Sequence, residues 1–344
     1  CKFLFHKFFL YKNRPAQNRA VFSHISFFQR REPCGKNSER NPKVLWIFTA
    51  KVDLYVCDRK EQMDAFQFYT DKKEPVGLGK EVEMMGKIWC VFFSPSGTTE
   101  KVMERIATNL SGSYDSGVKV WDLLRTPERQ PDVIRPDDVL VIGIPVFSGR
   151  VPTPCLTQIK SLQGSHTPAI AVAVYGNRDY DDALLELQDL LEQQGFCTIG
   201  AAAFVAQHSI FTKVAAGRPD AADFEKIDQF SALCAERLKA RQDTWKPIQI
   251  KGNRPYREIL SVPIKPSANT TRCTTCGVCV RICPVHAIDS ANPRKTDRSL
   301  CISCTACMTA CPQNARSFPH LMLSVASKGF EKKCAQRREP EWFL

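Results

Sequence analysis

From Gly86 onward the chain alternates short apolar runs with longer amphipathic ones. Lys87–Phe93 is rich in valine, isoleucine and aromatics and reads as a buried strand. Glu100–Leu110 places Val102, Ile106 and Leu110 on one helical face. Val118–Leu123, Asp138–Gly143, Ala169–Tyr175 and Cys197–Val205 read as four more strands. Asp181–Gln194 predicts an amphipathic helix with leucines at 184, 187, 190 and 191, capped by Asp181 and ended by Gly195. Ala221–Ala240 is the last helix of the series. Strands alternating with helices predict a parallel sheet covered on both faces.

The loop between the first strand and the first helix is Ser94-Pro95-Ser96-Gly97-Thr98-Thr99. Free amides at a helix start, with hydroxyl donors beside them, can cradle a phosphate without a lysine. No G-K-[ST] follows, which excludes an ATP-type loop. Gly77-Leu78-Gly79 lacks the third glycine and the preceding strand of a dinucleotide fingerprint. No second nucleotide-binding domain is visible, so direct oxidation of NAD(P)H is not expected.

Residues 246–267 change texture. Lys246-Pro247, Arg254-Pro255, Val262-Pro263 and Lys265-Pro266 predict an extended, semi-rigid linker that keeps two modules at a definite separation. Then Cys273, Cys276, Cys279 and Cys283-Pro284 are followed by Cys301, Cys304, Cys307 and Cys311-Pro312, the run C-x2-C-x2-C-x3-C-P written twice. This spacing serves one-electron transfer through iron–sulfur clusters. A zinc site would favour paired C-x2-C knuckles with a longer gap between pairs. Pro284 and Pro312 end the local helices, Ala287-Ile288 and Ala315 suit packing against a cluster, and His286 reads as a packing residue. Of 16 cysteines the other eight are scattered without a disulfide framework. Cluster-forming thiolates imply a reducing, cytoplasmic setting.

Residues 268–318 closely resemble a bacterial-type two-cluster ferredoxin. The resemblance implies a crossed ligand set. Cys273, Cys276, Cys279 and Cys311 would hold one 4Fe-4S cluster, and Cys301, Cys304, Cys307 and Cys283 the other. The pattern S-x-S-G-x-T at Ser94–Thr99 resembles the phosphate loop for FMN in flavodoxins. That likeness implies the strand order 2-1-3-4-5, with the ligand at the carboxyl ends of strands one and three. Its phosphate-binding candidates are Ser94, Ser96, Gly97, Thr98 and Thr99. Two loops would frame the flavin ring, 145–152 and 176–180. Phe147 is the stacking candidate. Backbone amides near Ser148-Gly149 and Gly176-Asn177 would meet the ring's polar edges, and Arg150 or Arg178 the reduced flavin.

From Met84 onward the chain resembles fused flavodoxin–ferredoxin proteins of anaerobic bacteria, called ferrodoxins. The likeness includes the order of modules, Val174–Arg178, Tyr180–Leu184 and Gly252–Tyr256. The expected fold is a flavodoxin-like doubly wound parallel five-stranded sheet over residues 84–245. A small α+β ferredoxin domain follows over 268–318, then a tail over 319–344. The resemblance implies electron transfer between two 4Fe-4S clusters and a bound FMN. The rivals are a flavin-dependent reductase of a small molecule, with His208 or its neighbours as proton donor, and a flavin-free carrier or sensor.

The net charge of +12 is uneven. Residues 1–50 carry 10 basic and 2 acidic side chains, residues 85–250 carry 17 and 20, and residues 251–311 carry 9 and 3. The basic cysteine region suits a redox partner protein with an acidic docking face. The distribution argues against nucleic acid binding, because the largest excess lies in residues 1–83, which show no sustained periodicity. No stretch has the roughly 18 apolar residues of a membrane helix. Lys80-Glu81-Val82 can be encoded as a ribosome-binding sequence just ahead of Met84-Met85. Residues 1–83 are therefore expected to be translated upstream sequence or a disordered basic leader.

Overall fold

The computed structural model describes residues 86–111, 117–128, 133–239, 245 and 247–344, together with Ala20–Phe22 and Tyr55–Cys57, two short strands paired antiparallel. The expectation for residues 1–83 otherwise lies outside the described residues. The chain divides into two units, and the second, Glu81–Leu344, holds both the sheet and the cysteine runs.

The first part of this unit is a doubly wound sheet. The strands are β1 (Ile88–Phe92), β2 (Val118–Asp122), β3 (Val139–Pro145), β4 (Thr167–Tyr175) and β5 (Phe196–Val205). They pair in parallel in the order β2-β1-β3-β4-β5, the flavodoxin-like order. The helices are α1 (Thr98–Ser111), α2 (Thr153–Lys160), α3 (Ala183–Gln193) and α4 (Ala221–Lys239). Successive strand residues point to opposite faces. Ile88, Cys90 and Phe92 therefore pack with Val102, Met103 and Ile106 of α1 and with Ile227 and Phe230 of α4. Trp89 and Val91 face the other layer, with Ile159 of α2 and Leu184, Leu187 and Leu191 of α3. Helix α2 has no counterpart in the sequence reading, although Pro154 in its first turn is a start signal.

Asp181 does not cap α3. It has φ 45°, and its carboxylate pairs with Arg178 and Arg257. Asp182 holds the N-cap position without a side-chain cap; its carboxylate accepts from the amides of Asn253 and Arg257 at 2.8 and 2.7 Å. Residues 247–266 are thus a strap bound along α3, not a spacer. Ile248 is buried in the sheet core, its carbonyl accepts from Gln188, and Arg254 pairs with Asp189. The two modules are in contact: Cys304 and Ala306 belong to the same buried cluster as Tyr175 and Leu184.

The cysteine module pairs β6 (Ser267–Ala268) with β7 (Arg316–Ser317) and carries two short helices, α5 (Val278–Arg281) and α6 (Ala306–Thr309). Its two halves repeat in backbone as well as in sequence. Positive φ recurs at Thr275 and Ser303 (58° and 57°), at Gly277 and Thr305 (74° and 72°), and at His286 and Asn314 (50° and 47°). His286 is exposed at its turn rather than packed. The tail folds back on the sheet. It forms α7 (His320–Lys333) and then β8 (Glu341–Phe343), a sixth strand antiparallel to β5. Trp342 packs near Phe230, and the Tyr180 hydroxyl donates to Glu341.

Arg218 anchors this return. Its guanidinium pairs with Asp223, both nearly fully buried, and donates to the Arg338 carbonyl at 2.9 Å. Removing one partner of a buried ion pair costs about 3–5 kcal/mol, because the other charge stays behind. Arg218→Met is expected to lower the urea unfolding free energy by an amount in that range. A change below about 1 kcal/mol would show that Arg337, 3.3 Å from Asp223, suffices.

Candidate functional site

The carboxyl ends of β1, β3, β4 and β5 open into one cavity of about 580 Å³. That volume suits a drug-sized ligand or cofactor. Each wall comes from a separate loop. After β1, Ser94 is buried and its hydroxyl accepts from the Glu100 amide at 2.9 Å, which caps α1 from inside. Gly97 (φ 82°) turns the chain, and Thr99 is buried. Ser96 and Thr98 line the cavity, their hydroxyls 3.1 Å apart. Of the five phosphate candidates, these two side chains therefore face the space, and Ser94 and Thr99 build the turn.

After β3, Phe147 and Arg150 form an antiparallel bridge around Ser148 (φ 52°) and Gly149 (φ 79°). Two positive φ values at the centre of so tight a turn favour glycine. A Cβ at Gly149 would also lie 2.3 Å from Asp181 Oδ2. Phe147 lines the cavity and meets Phe93 edge-on at 6.4 Å. The Ser148 hydroxyl donates to the Leu260 carbonyl of the strap. Arg150 does not line the cavity. It makes a bidentate pair with buried Glu186 and lies over the Tyr256 ring.

After β4, Gly176 and Arg178 line the cavity, and Asn177 turns away from it. The Asn177 amide donates to the carbonyls of Cys334 and Gln336, both at 2.8 Å, and accepts from the Arg338 amide. Its side chain fastens the tail, so the sequence reading of Asn177 as a ring contact extends at most to its backbone. Tyr175 lines the cavity, whereas Tyr180 is buried in the core. Gly176 allows a close approach: a Cβ there would sit 2.6 Å from the His208 ring.

The remaining walls were not legible. Ile259, Leu260 and Val262 of the strap, Phe330 of α7, and Cys301, Ile302, Ser303 and Cys304 of the cysteine module close the space. The cysteine runs marked Cys301 and Cys304 as ligands, but no local signal put them beside Phe147. Phe211 stacks on Phe330 at 4.5 Å, and His208 meets Phe330 at 4.9 Å.

Two smaller cavities divide the eight cysteines. Cys273, Cys276, Cys279 and Cys311 ring one; Cys283, Cys301, Cys304 and Cys307 ring the other. Among the described residues no three His, Cys, Asp or Glu groups lie together as for a single metal ion. The crossing cysteines accept matching amide hydrogen bonds, Ala287 to Cys283 and Ala315 to Cys311, both at 3.3 Å. Such bonds tune cluster potentials, so this donor set fits two cubanes. Cys301 and Cys304 line both the large cavity and the second cysteine cavity.

Residues 237–324 match the family model of a 4Fe-4S dicluster domain, and both cysteine cavities fall inside that match. No curated protein matches the chain. The sheet portion is similar to solved flavodoxins. A flavodoxin from Streptococcus pneumonia is 18% identical, over 46% of this chain and 100% of that one, with a TM-score of 0.33. Flavodoxin 2 from Bacillus cereus is 16% identical, over 44% and 99%, with a TM-score of 0.35. A Fusobacterium nucleatum flavodoxin mutant bound to flavin mononucleotide is 14% identical, over 43% and 95%, with a TM-score of 0.30. The fold assignment itself rests on strand order and register. Among the described residues no helix is long and apolar enough to cross a membrane.

His208 generates a pH prediction. Burial, with Arg178 nearby, pushes its imidazole down to about 4. Its Nδ1 accepts from the amides of Ile210 and Phe211, so its one proton is on Nε2. A folded value below the ordinary 6.5 means that the unfolded chain binds the proton first. Stability is then full above that ordinary value and falls as the pH drops toward about 4, by about 3 kcal/mol. Urea unfolding across this window should show the loss in the wild type and a shallower slope in His208→Gln. Equal slopes would assign the pH dependence to other groups.

Proposed function

We propose that the protein passes single electrons between two 4Fe-4S clusters and an FMN bound in the large cavity. Cys273, Cys276, Cys279 and Cys311 hold the outer cluster; Cys283, Cys301, Cys304 and Cys307 hold the inner one. The observation that carries this reading is the shared wall, since Cys301 and Cys304 border the inner cluster's cavity and the large one together. A cluster held by Cys283, Cys301, Cys304 and Cys307 would border the large cavity directly. Flavin supplies the ability to take up two electrons and release them singly. Ser96, Thr98 and the start of α1 bind the phosphate, and Phe147 with the apolar strap residues flanks the ring. The neutral, weakly acidic His208 favours a carrier over a reductase, which would need a ready proton donor beside the ring.

Anaerobic purification followed by iron, sulfide and flavin assays tests this directly. About eight irons and one FMN per chain are expected. Replacing Ser96 and Thr98 together with alanine should weaken FMN binding at least about tenfold, the worth of one hydrogen bond to a charged group, and leave iron content unchanged. Full iron with no FMN taken up on addition would reduce the sheet to a scaffold.

The outer cluster faces solvent: Cys276 is exposed, and Arg272, Arg281, Arg294 and Lys295 around it are exposed cations. We read this face as the docking site of an acidic electron-transfer protein in a reducing compartment such as the cytoplasm. Reduction by a small acidic ferredoxin used as probe should slow about tenfold between low salt and roughly 0.3 M salt, where screening is short-ranged. A rate flat in salt would argue against this face.

A further inference from the structure

The repeat that relates the two halves of the cysteine module changes from apolar to charged at a position buried in both halves. Cys273 corresponds to Cys301 and Cys283 to Cys311, so Ala287-Ile288 corresponds to Ala315-Arg316. Ile288 is buried and apolar, as a cluster wall requires. Arg316 occupies the matching place and is only 4% exposed.

Arg316 is also the residue that both cysteine cavities share with each other. Its Nη1 lies 3.7 Å from Cys279 Sγ of the outer set and donates to the Pro293 carbonyl at 2.8 Å. On the inner side it lines the cavity together with Cys307, and Nη2 donates to the Thr296 hydroxyl. Its Nε is buried with no partner. No carboxylate is among these partners. A buried cation without a counter-charge is costly. Two thiolate-ligated clusters, each an anion, would supply that charge from both sides.

We infer that Arg316 is a counter-charge common to both clusters and sets their reduction potentials upward together. This rests on the proposed reading that the two cavities hold 4Fe-4S clusters. Each reduction adds one electron, supplied by a low-potential electron carrier, to a cluster that is already anionic. No bond forms or breaks and no proton moves. The added negative charge is stabilised by the guanidinium beside it, so the reduced form gains more than the oxidised form. Because Arg316 lines both cavities, the effect falls on both clusters. A hydrogen bond private to one cluster would move that cluster alone. The basic surface residues act through solvent and are screened by salt; Arg316 is buried, and its effect persists at high salt.

The test uses the full chain, purified anaerobically, with iron and sulfide measured on every sample. Midpoint potentials are read by dithionite titration through mediators, followed by low-temperature electron paramagnetic resonance at high salt. A wild type without iron refutes the cluster reading itself, whatever Arg316 does. In loaded protein, Arg316→Gln and Arg316→Ile are expected to lower both potentials by at least a tenfold change in the reduction equilibrium, about 59 mV for one electron. Arg316→Lys should stay near the wild-type values. Unchanged potentials in either loaded charge-free variant, or a shift confined to one cluster, would overturn the inference. If neither charge-free variant loads iron, Arg316→Lys decides. Full loading with near-wild-type potentials supports a charge requirement. Failure of all three variants would make the role structural and overturn it.

Discussion

The burial of Cys304 and Ala306 in the same apolar core as Tyr175 and Leu184 is the contact on which the other features depend. It joins two modules that sequence order alone would leave as neighbours on a string. Once the inner cysteine loop is seated there, the strap has a fixed path. The Leu260 carbonyl reaches the Ser148 hydroxyl, and Ile259, Leu260 and Val262 become one wall of the large cavity. The cavity is therefore a product of docking. The sheet contributes its floor and the cysteine module its far side.

Electrostatics reinforce this arrangement at the strap. Asp182 spends its carboxylate on the amides of Asn253 and Arg257 rather than on its own helix, and Arg150 is held between Glu186 and the Arg257 carbonyl. Asp182, Glu186 and Arg150 themselves do not line the cavity. Their role is to hold the strap, which leaves Arg178 as the guanidinium from the β3 and β4 loops that lines the space.

Much of this was legible in the chain. Short apolar runs and helical spacing located every parallel strand and three of the four sheet helices; burial on both faces makes β1, β3, β4 and β5 strongly apolar. The doubled cysteine run marked all eight cysteines, and its resemblance to two-cluster ferredoxins implied how they divide. Position 316 was also open to view: laying the second run over the first puts an arginine where isoleucine stands. What sequence pattern could not carry were contacts between distant segments. Prolines suggested a stiff spacer, but carboxylates on α3 bind that stretch as a strap. Asn177 sits in the loop expected to meet the ring, yet its amide was claimed by carbonyls about 160 residues away, at Cys334 and Gln336. A polar side chain near a site has no local mark that says which neighbour will take it.

Strand β8 has a consequence for how the molecule is made. It covers the outer edge of β5, and it is translated after both cysteine runs. During synthesis the sheet therefore waits, with one row of amides and carbonyls open, while the whole cluster-binding segment emerges. Closure of that edge follows the synthesis of both cysteine runs. The nascent chain is thus ordered so that its cysteine loops emerge before this open edge of the sheet is covered.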